Sequence, residues 1–545
     1  MSIISQIGRR SPRVRLFIAG MYAALIAGSV AMLYPFLLMV AGSTKSAVDA
    51  KDLSIVPRFL VDDLALYRKH IEGLFNESVD AMNIAYDTDI SSFELVVPPA
   101  KRHPELVAAW RDFLRERPPP DYAATCGYLQ AGVSKTIPRA LREFKADLGR
   151  RFGDDIGAVN DALGTDFVGW NAFVVPPWNF LSPRSPPRDA PLVREVQALV
   201  ARQPEGMRYY FSVDGYYRRV FLKAQYTRDI AVYNKAHGTS YASYNDVALS
   251  PTRPPDGDPA RADWDTFVNE TLNPLWVTSS PPRLVSVDET FRQTVDVPFA
   301  GMGAAQRELH YEAFLGMRSE LRKEFATRNY RAVIDYMFLH GRGIVNTVVY
   351  CGLAVVLALL VNPLAAYAMS RYRMPSTYKV LLFLMLTMAF PPMVTQIPVF
   401  LMLRELGLLN TFAALLLPGL ANGYSIFLLK GFFDAQPRDL YESAQLDGAG
   451  EWTLFWQITM SLARPILSVV ALNAFVAAYA NFMFALLICQ DEKMWTLMVW
   501  LYQLQQRSGP AVLYASLIIA AVPTFAVFML CQRVILRGIV VPVEK

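Results

Sequence analysis

The residues that most often carry chemistry are too scattered in this chain to indicate a reactive centre. The sequence contains neither an HExxH nor a CxxC pattern among its five histidines and four cysteines, so it supports no metal site. Three of the cysteines, Cys351, Cys489 and Cys531, fall in apolar segments, and Cys126 stands alone in a polar region, which excludes an intramolecular disulfide framework there. No Walker A sequence is present, so if ATP drives this protein, another chain must bind it. We expect no cofactor on this chain.

The most distinctive pattern is a polar stretch between two long apolar segments, residues 437–465. Glu442-Ser443-Ala444 is followed by Gly448, and Pro437 is suited to open a helix because it lacks an N–H that would be unpaired there. Glycine is a natural helix stop, so Gly448 predicts a tight bend. A second helix is expected from Glu451.

Both predicted helices are amphipathic. Their apolar faces are expected to consist of Leu440, Tyr441 and Ala444 in the first helix and Leu454, Phe455 and Ile458 in the second. We predict two short helices held at a membrane surface. The alternative is an ordinary amphipathic loop between two spans.

The composition predicts a membrane protein. The chain has 545 residues, which is too long for one domain. Of these residues, 53% are hydrophobic, a larger share than in an ordinary soluble protein. Six runs carry no charge and are long enough to cross a bilayer: 16–40, 344–370, 380–403, 406–429, 465–490 and 508–532. The predicted fold is an all-α polytopic membrane protein with six transmembrane helices.

Basic residues set the predicted orientation. The first span follows Arg9, Arg10, Arg13 and Arg15 and is too long for a signal peptide, so we expect an uncleaved span with a cytoplasmic N-terminus. The side that holds the 437–465 loop and the C-terminus also carries most of the remaining basic residues near the spans. Its basic residues are Arg371, Arg373, Lys379, Lys430, Arg438, Arg464, Arg533, Arg537 and Lys545, against Arg404, Lys493 and Arg507 on the other side. Both termini and this loop are therefore predicted to be cytoplasmic, and residues 43–343 to be extracytoplasmic.

The region 43–343 contains a threefold repeat. Asn83, Asn160 and Asn234 occupy the same position in three similar stretches, with offsets of 77 and 74 residues. Other matching positions are Phe75/Phe152/Tyr226, Val79/Ile156/Ile230, Ala85/Ala162/Ala236, Thr88/Thr165/Thr239 and Phe93/Trp170/Tyr244. Helical spacing followed by Asn, Gly and Pro predicts three mainly helical units, about 64–115, 140–200 and 215–270, that stack around a shared core.

Two interpretations of this repeat remain open. The second and third units resemble a short helix-and-loop segment of large glycoside hydrolases of the family 42 type, without that family's catalytic carboxylates. The Asn, Thr and aromatic positions either form turns and packing, or Phe93, Trp170 and Tyr244 stack on a sugar. The second interpretation leads to an alternative function, a membrane-anchored glycan-binding or glycan-cleaving protein that acts through the insert.

The polar loop resembles the EAA loop of bacterial ABC importer permeases. Glu442-Ser443-Ala444, Gly448 and Ile458 match its pattern, whereas Met460-Ser461 replaces the usual Leu-Pro. The resemblance continues through the C-terminal half, which is similar to maltose-type, carbohydrate-transporting permeases. The matching segments are Tyr34-Pro35-Phe36, Asn346-Thr347, Ala366-Tyr367-Ala368 with Arg371-Tyr372-Arg373, Pro391-Pro392, Ile397-Pro398, Leu406-Gly407-Leu408 and 475–482.

The resemblance implies a function and a set of partners. It implies the permease subunit of an ATP-driven importer for a sugar or oligosaccharide in the bacterial inner membrane. The implied partners are a second permease subunit, two ATP-binding subunits that hold ATP and Mg, an extracytoplasmic solute-binding protein and the lipid bilayer, with no nucleic acid. Residues 1–42 would form the N-terminus and first span, 43–343 an added extracytoplasmic insert, and 344–545 the permease core.

The resemblance also implies the site residues. The ATPase-coupling residues would be Glu442, Ser443, Ala444, Asp447, Gly448 and Ile458. Asn473, Tyr479 and Asn481 would line the substrate pathway, because they lie in or near the family's pathway segment. Polar side chains within spans also bond neighbouring helices, so that alternative stays open for these three residues and for Gln396 and Asn422.

Overall fold

The computed structural model describes residues 12–153, 155–170, 172–295, 301–339, 341–372, 374–387 and 391–538. The chain divides into two compact units, Met1–Asn329 with Ser508–Tyr514, and Tyr330–Arg507 with Ala515–Lys545. Arg9, Arg10, Arg373 and Lys545, which contributed to the predicted orientation, lie outside the described residues.

The first unit is mainly helical. Its helices are α1 (Pro12–Gly42), α2 (Asp63–Leu74), α3 (Val79–Tyr86), α4 (Pro104–Glu116), α5 (Arg139–Phe152), α6 (Ile156–Leu163), α7 (Pro191–Arg202), α8 (Val213–Tyr216), α9 (Leu222–Tyr226), α10 (Ile230–His237), α11 (Ala260–Thr266), α12 (Val287–Thr294) and α13 (Met302–Leu339), the last of which continues into the second unit. Short antiparallel strands pair β1 (Ala124–Cys126) with β2 (Arg208–Tyr210), and β3 (Val277–Ser279) with β4 (Pro282–Leu284).

The same order of elements occurs three times in this unit. A short helix (α3, α6 or α10) is followed by another helix (α4, α7 or α11), then a 3-10 turn and a short strand (β1, β2 or β3). The three turns are Asp121–Ala123, Glu205–Met207 and Pro274–Trp276. The repeated sequence therefore corresponds to a repeated local structure.

The aligned asparagines make identical hydrogen bonds. The Asn83 amide donates to the Ile90 carbonyl at 2.8 Å, while its oxygen accepts from the Ile90 N–H and the Thr88 hydroxyl, both at 3.0 Å. Asn160 bonds Phe167 and Thr165 in the same way, and Asn234 bonds Tyr241 and Thr239. Each asparagine thus closes the loop after its helix, which supports the interpretation of these positions as turn and packing residues.

The three repeats share one core only in part. Buried aromatics of the first and third repeats belong to one large cluster that includes Trp110, Trp264 and Phe291. The middle repeat has a separate cluster around Phe144 and Phe173. Phe180, Leu181 and Val193 of the middle repeat nevertheless belong to the large cluster, so the predicted shared core is found in part, while the other apolar faces of this repeat's helices are buried on one another.

Two of the three candidate sugar-stacking aromatics are buried. Phe93 and Tyr244 keep 6% and 4% of their surface, so neither ring presents a face to a ligand. Trp170 is half-buried, and its ring centre lies 5.8 Å from that of Phe173. The prediction of sugar stacking on Phe93 and Tyr244 is contradicted, because both rings serve the core.

The second unit continues the chain in helices. They are α14 (Gly341–Arg371), α15 (Thr377–Thr387), α16 (Pro392–Glu405), α17 (Phe412–Leu416), α18 (Gly423–Asp434), α19 (Arg438–Leu446), α20 (Glu451–Thr453), α21 (Met460–Leu462), α22 (Arg464–Ala480), α23 (Phe482–Ile488), α24 (Leu497–Arg507) and α25 (Pro510–Gly538), the last with its first turn in the first unit. Helix α24 lies in the connection between the predicted fifth and sixth spans.

By length and composition, the described residues contain three to five candidate spans. Val14–Gly42, Gly341–Arg371 and Pro510–Gln532 are long and apolar enough to cross a bilayer as single helices. Two further candidates are bent pairs, Phe412–Gly419 with Gly423–Asp434 at 52° and Glu451–Leu462 with Arg464–Ala480 at 82°. The number six stays a prediction, because the third predicted span contains residues 388–390, which lie outside the described residues.

Two predicted spans are not continuous helices. The fourth, 406–429, begins with turns at Gly407 and Asn410, both with positive φ, and breaks again where Asn422 caps α18 through the Ser425 N–H at 2.9 Å. The fifth, 465–490, breaks at Asn481, which has a non-helical ψ of 61°. Polar side chains that bond backbone or neighbouring helices account for the breaks at Asn422 and Asn481.

Candidate functional site

The predicted coupling loop forms two helical segments joined by a tight bend. Helix α19 begins after Pro437, with Asp439 in its first turn, where a carboxylate favours the positive end of the helix. The second segment, Glu451–Leu462, runs through α20, a π-helical stretch at Leu454–Thr459, and α21. This arrangement confirms the predicted pair of helices.

Gly448 makes the bend. Its φ of +83° lies in the region that residues with a side chain rarely adopt. The turn is closed by hydrogen bonds from the Gly448 N–H to the Gln445 carbonyl at 3.0 Å and from the Ala449 N–H to the Ala444 carbonyl at 2.9 Å. A Cβ atom at Gly448 would meet no heavy atom within 4 Å, so a substitution there acts on the backbone conformation rather than on packing.

The structure brings the six predicted coupling residues together on this loop. Glu442, Ser443, Asp447 and Gly448 are exposed, whereas Ala444 and Ile458 are half-buried. The exposed side of the bend therefore presents two carboxylates beside backbone that is free of bulky side chains.

The same loop also exposes large apolar side chains. Leu446 keeps 89% of its surface exposed, Trp452 66% and Leu440 45%. Of the predicted apolar face of the first helix, Tyr441 is buried, whereas Leu440 stays largely exposed. Clustered exposed apolar residues with a polar rim are typical of protein-interaction surfaces.

The opposite side of the loop is buried in the second unit. Tyr441, Leu454 and Phe455 belong to a cluster with residues of α14, α18 and α22, among them Tyr367 and Phe433. The two helices of the loop are therefore packed against the second unit on one side, while the bend between them is exposed.

Arg371 holds the first helix of the loop. Its guanidinium carbon lies 3.5 Å from the centre of the Tyr441 ring, and one of its nitrogens donates to the Phe433 carbonyl at 3.0 Å. The Tyr441 hydroxyl in turn bonds the Thr459 hydroxyl at 2.8 Å and donates to the Gln436 side chain. The end of α14 is therefore attached to both helices of the loop.

Tyr367 holds the second helix. Its hydroxyl donates to Glu451 Oε2 at 3.1 Å, and its ring meets the Phe455 ring edge-on at 5.3 Å. Sequence reasoning missed the contacts of Tyr367 and Arg371, because it used Tyr367 only as a family match and Arg371 only as a family match and an orientation signal. The one available signal was their position at the end of a long apolar run, where a ring and a cation can reach a surface loop.

The three predicted pathway residues have different surroundings. Tyr479 is buried, and its hydroxyl donates to the Ala520 carbonyl at 2.9 Å. The Asn481 amide donates to the Tyr350 hydroxyl at 3.1 Å. Tyr479 and Asn481 thus bond neighbouring helices, whereas Asn473 is exposed on α22.

The described residues do not form a metal site. No group of three or more His, Cys, Asp or Glu side chains there is arranged to hold a metal ion. Two buried histidines of the first unit bond tyrosine hydroxyls, His70 with Tyr128 at 2.8 Å and His310 with Tyr86 at 2.7 Å, and His237 lies 3.0 Å from Asp263.

Comparisons with known proteins concern the second half of the chain. Residues 354–541 match the family model described as binding-protein-dependent transport system inner membrane component. A probable ABC transporter permease protein of Pyrococcus horikoshii is 30% identical over 200 residues, which are 36% of this chain and 72% of that protein.

Two further relatives carry more specific names. The diacetylchitobiose uptake system permease protein NgcG of Streptomyces coelicolor is 28% identical, with 35% of this chain and 66% of that protein covered. The lactose transport system permease protein LacG of Rhizobium radiobacter is also 28% identical, with 35% and 71% covered. The chain thus spans just under two thirds of the length of the first of these relatives and somewhat more of the other.

Proposed function

This chain belongs to the family of binding-protein-dependent transport system inner membrane components, and from that premise we propose that it is the permease subunit of an ATP-driven importer. In this proposal the chain forms half of a translocation pathway, and a second permease subunit forms the other half. ATP and Mg are bound by two separate ATPase subunits. A solute-binding protein delivers the substrate on the extracytoplasmic side.

The observation that carries the proposal is the exposed glycine bend on a buried base. Glu442 and Asp447 point into solvent beside Leu446, so an ATPase surface with a complementary charge and an apolar groove would fit this loop. Because Arg371 and Tyr367 attach the loop to the end of α14, a push on the bend would be passed to a membrane helix.

We further propose a carbohydrate substrate. The support is the named function of two relatives, diacetylchitobiose uptake and lactose transport, together with the resemblance of the sequence to maltose-type permeases. Among the predicted pathway residues, Asn473 remains the candidate for contact with substrate, because its amide is exposed on α22. Tyr479 and Asn481 would shape the pathway by fixing neighbouring helices.

The experiment is reconstitution of the chain with its partner subunits in proteoliposomes. Glu442→Lys reverses the charge on the exposed bend and is expected to weaken ATPase association and abolish uptake, while membrane insertion is retained. Glu405→Lys, which reverses a charge at the end of α16, is the control and should transport normally. Normal uptake by Glu442→Lys would contradict the coupling role.

The insert is proposed to lie outside the cytoplasm and to contact the solute-binding protein. This follows from the predicted orientation, since the binding protein must dock on that side, and a nearby contact would raise its effective concentration. A passive spacer is the alternative. The glycan-binding or glycan-cleaving alternative loses support because Phe93 and Tyr244 are buried.

A further inference from the structure

A short segment that follows the end of α1 after ten further residues exposes an apolar surface. In residues 53–61, Leu53, Ile55, Val56, Leu60 and Val61 keep 72%, 42%, 56%, 39% and 75% of their surface exposed. The segment carries one charged side chain, that of Arg58, which pairs with Asp52 at 3.1 Å. We call residues 53–61 the apolar segment.

The apolar segment is fixed rather than loosely attached. Phe59, at its centre, is 1% exposed, and its ring meets the Phe325 ring edge-on at 6.0 Å. The Lys69 ammonium lies 5.2 Å from the centre of the same Phe59 ring. One buried aromatic therefore holds the exposed residues on either side of it in place.

The chain between α1 and this segment is fastened as well. The Ser43 carbonyl, one residue after α1 ends, accepts from the Asn329 amide at 2.7 Å. Asp49 pairs with the buried Lys69 at 2.6 Å, and the Val48 N–H donates to Glu72 at 2.5 Å. The Lys45 ammonium donates to the Asp52 carbonyl. This bond brings the residue before the apolar segment close to the residues that follow α1.

The last turns of α1 also expose apolar side chains. Met32, Leu33, Phe36 and Val40 are 83%, 56%, 46% and 37% exposed, and none of the 18-residue apolar window of α1 is buried. The apolar segment, which follows α1 after ten further residues, adds a second exposed apolar surface to the same unit. Water would meet that surface unfavourably, whereas the boundary between headgroups and acyl chains would accept it.

We infer that the apolar segment inserts into the outer boundary of the bilayer beside α1. The five exposed apolar side chains would enter the acyl-chain boundary, and the Arg58 guanidinium would reach lipid phosphates, as long basic side chains do at membrane surfaces. The segment would thereby fix the insert against the membrane. This inference depends on α1 crossing the bilayer and not on the proposed transport activity.

The test places an environment-sensitive fluorophore on the full chain in lipid nanodiscs. Cys531 is first replaced by Ser, since Cys126, Cys351 and Cys489 are buried. Val56→Cys then carries the probe, with Leu53→Cys as a second site should the first fail to fold. Val168→Cys, whose native side chain is 93% exposed, is the matched control in the same unit.

The expected result is a blue-shifted probe at position 56 that aqueous iodide does not quench. Nitroxide near the carbonyl end of the lipid acyl chain should quench it more than nitroxide near the methyl end, while the position 168 probe responds to iodide alone. Equal iodide quenching at both positions would overturn the inference. Protection that appears only when a binding protein or second permease is added would assign the surface to that protein and overturn it too.

Discussion

At the scale of single residues, Arg371 attaches the 437–465 loop to the end of α14. It combines a cation–π contact with Tyr441 and a hydrogen bond to the Phe433 carbonyl, so it joins α14, α18 and α19. A lysine cannot replace this geometry, because only a planar guanidinium can stack on the ring while it donates sideways. Tyr367 adds a second attachment through Glu451.

We expect Arg371→Ala to lower transport per ATP hydrolysed. Loss of the stack and of a part-buried hydrogen bond should cost about 1–3 kcal/mol in local stability. Lys430→Ala is the control, since it breaks only an i,i+4 pair with Asp434 that is worth a few tenths of a kcal/mol. Transport and hydrolysis measured in the same vesicles decide the matter, and an unchanged ratio for Arg371→Ala would show that this attachment is dispensable.

The repeated asparagines allow a graded comparison between equivalent residues. Asn83 is 7% exposed, whereas Asn234 makes the same three hydrogen bonds at a more exposed position. Removal of a buried partner leaves donors and acceptors unsatisfied, at a cost of about 1–3 kcal/mol. Asn83→Ala should therefore lower the thermal unfolding temperature of the full chain more than Asn234→Ala. The reverse order would contradict the structural role assigned to these loops.

At the scale of elements, helices and the bend at Gly448 could be predicted from the sequence. The helix break at Asn481 and the contacts between distant helices could not. The spacing of apolar residues predicted the two helices of the 437–465 loop, and Gly448 predicted the bend between them. The break at Asn481 could not be predicted, because it depends on a bond to Tyr350, which is 131 residues away along the chain. For the same reason the sequence did not reveal Arg371 as the support of Tyr441.

Buried titratable side chains on the helices of the first unit predict that its stability depends on pH. Burial lowers the pKa of His310 from 6.5 to about 4, and that of His70 to about 3. A lowered histidine pKa stabilises the fold fully above pH 6.5, and this stability is lost as the pH falls through the folded value. Glu72 acts in the opposite direction, because burial raises its pKa from 4.5 to about 7.

A comparison of the native protein with the His310→Gln variant tests the contribution of His310 to this pH dependence. His310→Gln keeps a donor for the Arg208 carbonyl but cannot take up a proton, while Glu72 is present in both proteins. Thermal unfolding of the full chain in detergent should show a larger advantage of the native protein at about pH 7 than at about pH 5. An advantage that does not change with pH would show that His310 does not contribute to this dependence.

At the scale of the whole molecule, the proposal requires the loop and the insert to lie on opposite sides of the membrane. Ser443→Cys and Val168→Cys, each in the Cys531→Ser background, report the two sides because both positions are exposed. An impermeant maleimide that reaches the outer surface of an intact inner membrane should label position 168. It should label position 443 only after the inner membrane is opened, and the opposite pattern would invert the predicted orientation.

The central claim is that the bend at Gly448 couples ATP hydrolysis to transport, and two valine variants in one loop test it most directly. Gly448→Val forces a branched side chain onto a φ of +83°, at a cost of about 1–3 kcal/mol, whereas Gly450 has a φ of −77° that valine adopts readily. Substrate uptake is measured in proteoliposomes that contain the full set of subunits. The account predicts that Gly448→Val loses ATP-driven uptake and that Gly450→Val retains it. Equal uptake by the two variants would contradict the account.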